Sequence, residues 1–350
     1  MRQTNDDTHA PRHGGGRVRE ALRWGIVSTA NIGRAAVIPA IHRSASGVVL
    51  AVASREYDRA REFAEANAIP NALGSYEALL EDEGIDAVYI PLPNSMHAEW
   101  TIRFAEAGKH VLCEKPLGVT AAECDAMAAA ADAAGVVCME AFMYRFHPRI
   151  DRVLDLIDER AIGALRSIYS AFTFKLTNAD NIRWLPEMGG GSLMDVGCYC
   201  VNVSRTIARG EPVEVQAVAT WTGLGLDEQM AGMLRFDDGV VAQFDCSLSM
   251  ERRECFHAAG TDGHLEVANA FLPGTGDVTI EEFHGRGEAT SHHVAGTDEY
   301  QMMVEHFAAC VTSGTAPRYP LSEAAANMRV IEALYRSARE GGGPVSVGDA

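Results

Sequence analysis

The sequence predicts an α/β chain: a doubly wound parallel sheet, then an α+β unit built on a large, mostly antiparallel sheet. Three observations lead there. Over residues 22–140, short apolar runs alternate with segments whose apolar residues recur at helical spacing, the pattern of βαβ units. After about residue 145, longer runs alternate apolar and polar residues, as antiparallel strands with one covered face do. The chain has 350 residues, room for about two domains of roughly 100–200 residues each. The expected division is a leader over 1–20, a first domain over 21–145 and a second over 146–350.

Residues 1–20 are polar, contain Gly14-Gly15-Gly16 and lack the apolar stretch of a secretory signal, so they are expected to form a disordered leader. Leu22–Ser28 (LRWGIVS) is an apolar run of the kind that forms a buried parallel strand. Asn31–His42 has helical spacing, Val48–Ser54 is a second strand, and Asp58–Asn67 is an amphipathic helix with Asp58 as its expected N-cap. The series continues with a helix at Ser75–Glu83, a strand at Ala87–Ile90 and a helix at Ser95–Ala107, stopped by Gly108. A strand at His110–Cys113, a helix at Thr120–Ala134 closed by Gly135, and a strand at Val136–Glu140 complete it. In the second part, helices are expected at Arg149–Arg160, Asp298–Thr312 and Ser322–Glu340. Strands are expected at Ser167–Leu176, Val213–Thr222, Ala231–Phe236, Val240–Ser249, His264–Val267 and Val278–Phe283.

Composition removes several function classes. The formal net charge is −18, whereas a nucleic-acid binder needs a basic surface. No apolar run approaches the ~18 residues of a membrane span. Eight cysteines in a chain this long do not make a disulfide scaffold. Cys198-x-Cys200 has no second pair at zinc-site spacing, so no metal is expected. Reduced cysteines fit a cytoplasmic protein. Only three lysines (Lys109, Lys115, Lys175) stand against 27 arginines, which draws attention to Lys115.

The first strand runs into a turn with Ser28, Ala30 and Gly33 at the positions of a G-x-G-x-x-G fingerprint. That motif uses small residues so that backbone reaches a pyrophosphate at a helix N-terminus. Two of its glycines are replaced, and the same residues also suit an ordinary strand–helix turn. The second strand ends in Ser54-Arg55, where an NAD site usually carries Asp or Glu for the ribose and Arg instead accommodates a 2′-phosphate. NADP is therefore favoured over NAD, although Glu56 follows directly and Arg55 also reads as a solvated loop residue.

The fourth strand ends in Glu114-Lys115-Pro116, at the carboxyl edge where open parallel sheets bind ligands. In Gly189–Tyr199 (GGGSLMDVGCY), Asp195 and Tyr199 share a helix face at i and i+4. From the residues alone, Asp195 reads equally as the N3 position of a capping box begun by Ser192, and Tyr199 as a core aromatic.

Taken together, Gly25–Gly33, Pro93-Asn94-x-x-His97, Ala107–Val111, Glu114-Lys115-Pro116 and Gly189–Tyr199 resemble the glucose–fructose oxidoreductase/inositol dehydrogenase (Gfo/Idh/MocA) family. The likeness is dense to residue 205 and thin beyond. The Asp195-x-x-x-Tyr199 version, the Ser28-Thr29-Ala30 turn and Met139–Pro148 are similar to two NADP-linked branches, the D-xylose 1-dehydrogenases and the dimeric dihydrodiol dehydrogenases. The resemblance implies Tyr199 as general acid/base, Lys115 as its electrostatic partner favouring tyrosinate, and Asp195 as an orienting group. It implies NADP(H) held by Ser28, Thr29, Ala30, Asn31, Ile32, Ser54, Arg55, Pro91, Asn94, His97, Glu114 and Lys115. Arg145, His147, Arg183 and Trp184 are the corresponding substrate candidates. His97 reads equally as a structural residue, whereas His147-Pro148 reads first as a helix start and Arg183 first as a surface charge. The expected activity is hydride transfer between NADP and an aldopyranose, in a homodimer. A keto-sugar or nucleotide-sugar reductase, a dihydrodiol dehydrogenase, a non-catalytic NADP sensor and an NAD-dependent glycosidase are the alternatives.

Overall fold

In a computed structural model, residues 21–348 are described; the leader expected over 1–20 lies outside them. Six strands, β1 Leu22–Val27, β2 Gly47–Ala53, β3 Asn71–Leu73, β4 Ala87–Ile90, β5 His110–Glu114 and β6 Cys138–Ala141, form one sheet. Its order is β3-β2-β1-β4-β5-β6 and every pairing is parallel. Ile26, Val27, Val52, Val88, Ile90 and Leu112 are fully buried, as expected of strands covered on both faces. The connecting helices are α1 Ile38–Arg43, α2 Tyr57–Ala66, α3 Tyr76–Leu80, α4 His97–Glu106 and α5 Ala121–Ala134. Ser75 and Thr120 cap α3 and α5 by accepting N–H bonds from Ala78 and Glu123. Asp58 is not the cap expected of it: α2 starts one residue earlier, from Glu56, and Asp58 lies in its first turn. This strand order reverses between β1 and β4, and ligands of such sheets sit beyond the strand ends at that point.

The second sheet has nine strands. They are β7 Leu165–Lys175, β8 Pro212–Trp221, β9 Asp227–Phe236, β10 Val241–Ser247, β11 Ser249–Gly260, β12 His264–Ala268, β13 Val278–Phe283, β14 Thr290–Val294 and β15 Val345–Ser346. The order is β14-β13-β12-β11-β7-β10-β9-β8-β15. Only β7 and β10 pair in parallel; the other pairings are antiparallel. Helices α6 Pro148–Asp158, α7 Cys198–Ala208, α8 Glu299–Ser313 and α9 Leu321–Arg339 accompany it.

The sequence reading misses β3, β11, β14 and β15. Three are short. β11 is hidden because Glu251-Arg252-Arg253-Glu254 masks the apolar alternation and a register irregularity interrupts its pairing between Ser249 and Arg253. The capping box also fails to form. Leu193–Gly197 is a π-helical turn leading into α7, and the Ser192 hydroxyl donates to Asp227 Oδ2 at 2.7 Å instead of receiving an N–H.

Candidate active site

A cleft of about 690 Å³ opens between the carboxyl ends of the first sheet and the second sheet. Its walls begin at the turn after β1. Ser28 has φ +113°, the left-handed region that explains the fingerprint's usual glycine. Its side chain braces the turn, donating to the Pro91 carbonyl at 3.1 Å and accepting from Ala30 N at 3.3 Å. The first N–H groups of a helix lack intrahelical acceptors. Here they belong to the turn whose Ala30, Asn31 and Ile32 line the cleft. A small-residue turn feeding a helix N-terminus suits a pyrophosphate.

Thr29 Oγ1 accepts a long, 3.4 Å bond from Arg59. Arg55 is exposed beyond β2. Burial raises the pKa of Tyr76, and the charges of both Arg55 and Arg59 oppose that rise, so the two guanidiniums gather at one corner. Among the described residues neither forms an ion pair with a carboxylate. This corner fits a 2′-phosphate. Arg59 was missed in the sequence, although its position four residues after Arg55 was readable. Ser54 is buried, with its hydroxyl accepting from Glu56 N at 3.3 Å.

Pro91, Asn94, Glu114 and Lys115 line the cleft from β4 and β5. Asn94 Nδ2 donates to the Gly189 carbonyl at 2.9 Å, tying the first half of the chain to the second. Gly189 has φ +71°, and an added Cβ would stand 2.7 Å from Val119 Cγ1, so the approach requires glycine. Tyr89 donates to Glu114 Oε1 at 2.5 Å; burial raises the Glu114 carboxyl's pKa against that bond and the charge of Lys115.

Lys115, Asp195 and Tyr199 come together across the cleft. Lys115 Nζ donates to the Asp195 carbonyl at 2.7 Å, stands 3.6 Å from Asp195 Oδ1 and lies over the Tyr199 ring, 4.9 Å from its centroid. Arg183 Nε approaches Asp195 Oδ2 at 2.7 Å. Its N–H finds no well-directed acceptor, so this contact is a charge pair more than a linear hydrogen bond. Burial pushes the Asp195 pKa up, but Lys115 and Arg183 outweigh it and the net shift is downward.

Tyr199 sits among Phe142, Phe172 and Phe271, with ring centroids 4.8 to 5.2 Å away. Its hydroxyl meets Met143 Sδ at 3.5 Å. Burial raises its pKa well above 10, and Tyr300, Cys198 and Glu114 add to the rise. The Lys115 ammonium faces the ring of this buried phenol.

Four further candidates stand away from this cleft. His97 is fully buried, and its ring nitrogens lie 2.9 Å from the Pro116 and Leu92 carbonyls, pinning the loop after β5 from behind. His147 caps α6 by accepting from Arg149 N at 3.1 Å; burial lowers its pKa to about 4. Arg145 stacks on Tyr319 at 3.5 Å and pairs with Glu323 in a separate cavity of about 400 Å³. All four guanidiniums of that cavity, from Arg145, Arg205, Arg209 and Arg318, are paired with carboxylates. Trp184 packs on the core beside Arg183 and does not line the cleft. Conversely Phe172, Arg252, Leu272 and Tyr300 line it. They come from distant segments with no local signal. Among the described residues no group of three or more His, Cys, Asp or Glu is placed to hold a metal, and no helix is long and apolar enough to cross a membrane.

Residues 22–142 match the oxidoreductase family with an NAD-binding Rossmann fold (GFO_IDH_MocA), and residues 150–266 match the GFO/IDH/MocA C-terminal domain. The chain is 42% identical to D-xylose 1-dehydrogenase (NADP(+)) 2 of Haloferax volcanii, over 91% of this chain and 98% of that protein. It is 36% identical to trans-1,2-dihydrobenzene-1,2-diol dehydrogenase of Mus musculus, over 72% and 76%. A solved 3-ketoreductase from Actinomadura kijaniata, in complex with NADP and TDP-benzene, superposes with a TM-score of 0.86 at 30% identity, covering 91% of this chain and 98% of that one.

Proposed function

This chain belongs to the Gfo/Idh/MocA oxidoreductase family, and from that premise we propose that it is an NADP-dependent dehydrogenase of an uncharged aldopyranose, acting at C1. The observation that carries the chemistry is the meeting of Lys115, Asp195 and Tyr199 in the cleft that begins at the dinucleotide-type turn. NADP, when bound, supplies or accepts the hydride. Ala30, Asn31 and Ile32 would hold its pyrophosphate and Arg55 and Arg59 its 2′-phosphate. Tyr199 exchanges a proton with the substrate oxygen. Its protonated resting form suits reduction, and oxidation draws on the phenolate. Asp195, kept ionised by Lys115 and Arg183, fixes the ammonium beside the tyrosine ring and offers its carboxylate to a sugar hydroxyl.

An uncharged substrate is favoured over a nucleotide-sugar by the pairing of charges. The cleft's cations are Lys115, Arg183 and Arg252. The first two are tied to Asp195 and the third to Glu254 at 2.6 Å. None is left uncompensated for a substrate diphosphate, whose burial requires paired charge. The 42% identical xylose dehydrogenase points the same way. The reading extends to a domain division near residue 145 and to a homodimer formed through the row Met233, Gln243 and Tyr169 of the second sheet. Those three residues are half-buried or exposed. The free thiols of all eight cysteines support a cytoplasmic location.

Incubation of the purified chain with NADP⁺ or NAD⁺ and a panel of aldopyranoses and trans-dihydrodiols, followed by nicotinamide absorbance, tests the proposal. Aldopyranose-dependent reduction of NADP⁺, faster than of NAD⁺, is the expected result. Turnover confined to dihydrodiols, or to NADPH with a dTDP-linked keto-sugar, contradicts it.

A further inference from the structure

The wall behind Tyr199 includes a segment outside the strands. Residues 269–272 leave β12 through Asn269, whose φ is +46°, and run through Ala270 and Phe271, both buried, to Leu272 at the cleft. Buried backbone outside a sheet must find polar partners elsewhere. Here two buried side chains supply most of them. Arg149, about 1% exposed, donates to the carbonyls of Ala268, Asn269 and Ala270 at 2.9, 2.7 and 2.9 Å. Glu254 Oε1 accepts from Phe271 N at 2.9 Å and from Leu272 N. Its other oxygen holds Arg252, which lines the cleft.

Phe271 carries this constraint to the reacting tyrosine. Its ring lies 5.2 Å from Tyr199 and stacks on Phe172 at 5.3 Å with a 13° interplanar angle. Burial pulls the Arg149 guanidinium down to about 10, while Glu299 and Glu254 hold it up, so it is cationic at neutral pH. Glu299 is itself buried and adjoins Tyr300, another cleft residue.

We propose that Arg149 and Glu254 are positioning residues, clamping segment 268–272 from its carbonyl and amide sides so that Phe271 and Leu272 fix Tyr199 and the sugar in register. The proposal rests on the functional reading above, in which Tyr199 is the proton-transfer group. A merely structural clamp would cost stability alone. A positioning clamp also costs turnover in the folded enzyme, since a displacement of about 1 Å is enough to lower rates severalfold to a hundredfold.

The test uses Glu254→Gln, which keeps the shape, and Arg149→Lys, which keeps the charge but loses the fork that reaches three carbonyls. Hydrogen exchange at the Phe271 and Leu272 amides is measured with kcat, KM and NADPH affinity. In folded Glu254→Gln the two amides are expected to exchange faster and kcat for the sugar to fall about tenfold or more, with NADPH affinity within about twofold of wild type. Combining it with Phe271→Leu should add little further loss, because both act through one ring. Unchanged protection, or faster exchange with wild-type kcat, overturns the proposal. A wild-type chain that turns over no sugar overturns the functional reading, and the catalytic half of this proposal with it, before any variant is made.

Discussion

At the residue scale, environment sets the state of each reacting group. Asp195, buried, and Glu114, half-buried, are carboxylates on one cleft, yet they shift in opposite directions. Asp195 faces Lys115 and Arg183 and is lowered, whereas burial prevails at Glu114 and raises it. Tyr199 has its pKa raised well above 10 by burial, and this has a definite sign. A group with a raised pKa keeps its proton through the neutral range, so its acid form is available throughout and its base form grows with pH. The kcat/KM for NADP⁺-linked oxidation is expected to rise continuously from neutral pH to about pH 10, while that for reduction stays flat over the same range. A pH profile of both directions checks this. An oxidation profile that levels near pH 7 would mean that a different base operates.

At the element scale, the first sheet was legible apart from the three-residue β3, because its signals are local. Fully buried parallel strands read as apolar runs, and Gly108 and Gly135 mark helix ends. The Ser28 turn was legible too, from small residues set between an apolar strand and a helix. What the sequence obscured was set by tertiary context. His97 and His147 look like ligand groups in a linear motif, but their nitrogens meet backbone carbonyls or cap a helix. Arg145 belongs to a different cavity. β11 is concealed by four consecutive charged residues. The end of β2 gives a prediction at this scale. Arg55 lies just before α2 and Arg59 in its first turn, and the charges of both reach Tyr76. Replacing both by alanine should raise KM for NADP⁺ about 10–100-fold, the value of one or two charge-assisted hydrogen bonds, and leave KM for NAD⁺ nearly unchanged. Equal effects on the two cofactors would show that the arginines do not read the 2′-phosphate.

At the scale of the whole molecule, the cleft exists only because the two sheets meet. Asn94 reaches Gly189 across 95 residues of sequence, and Lys115 reaches Asp195 across 80. The sequence motifs named three of the four groups in that contact as site residues, while the far wall of Phe172, Arg252, Leu272 and Tyr300 stayed unreadable, because its members share no spacing. The resemblance thinned after residue 205 for the same reason: long antiparallel strands fill space with alternating residues and carry few motifs.

The most direct test of the central claim is the comparison of Tyr199→Phe with the wild-type enzyme, measuring sugar turnover with NADP⁺ and NADPH affinity on the same preparations. The hydroxyl makes a long contact of 3.5 Å to the Met143 sulfur, so its loss should leave the fold and NADPH binding intact while kcat falls by about 10²–10⁴. A variant that keeps wild-type kcat, or that loses turnover only by losing NADPH, would contradict the assignment of proton transfer to Tyr199.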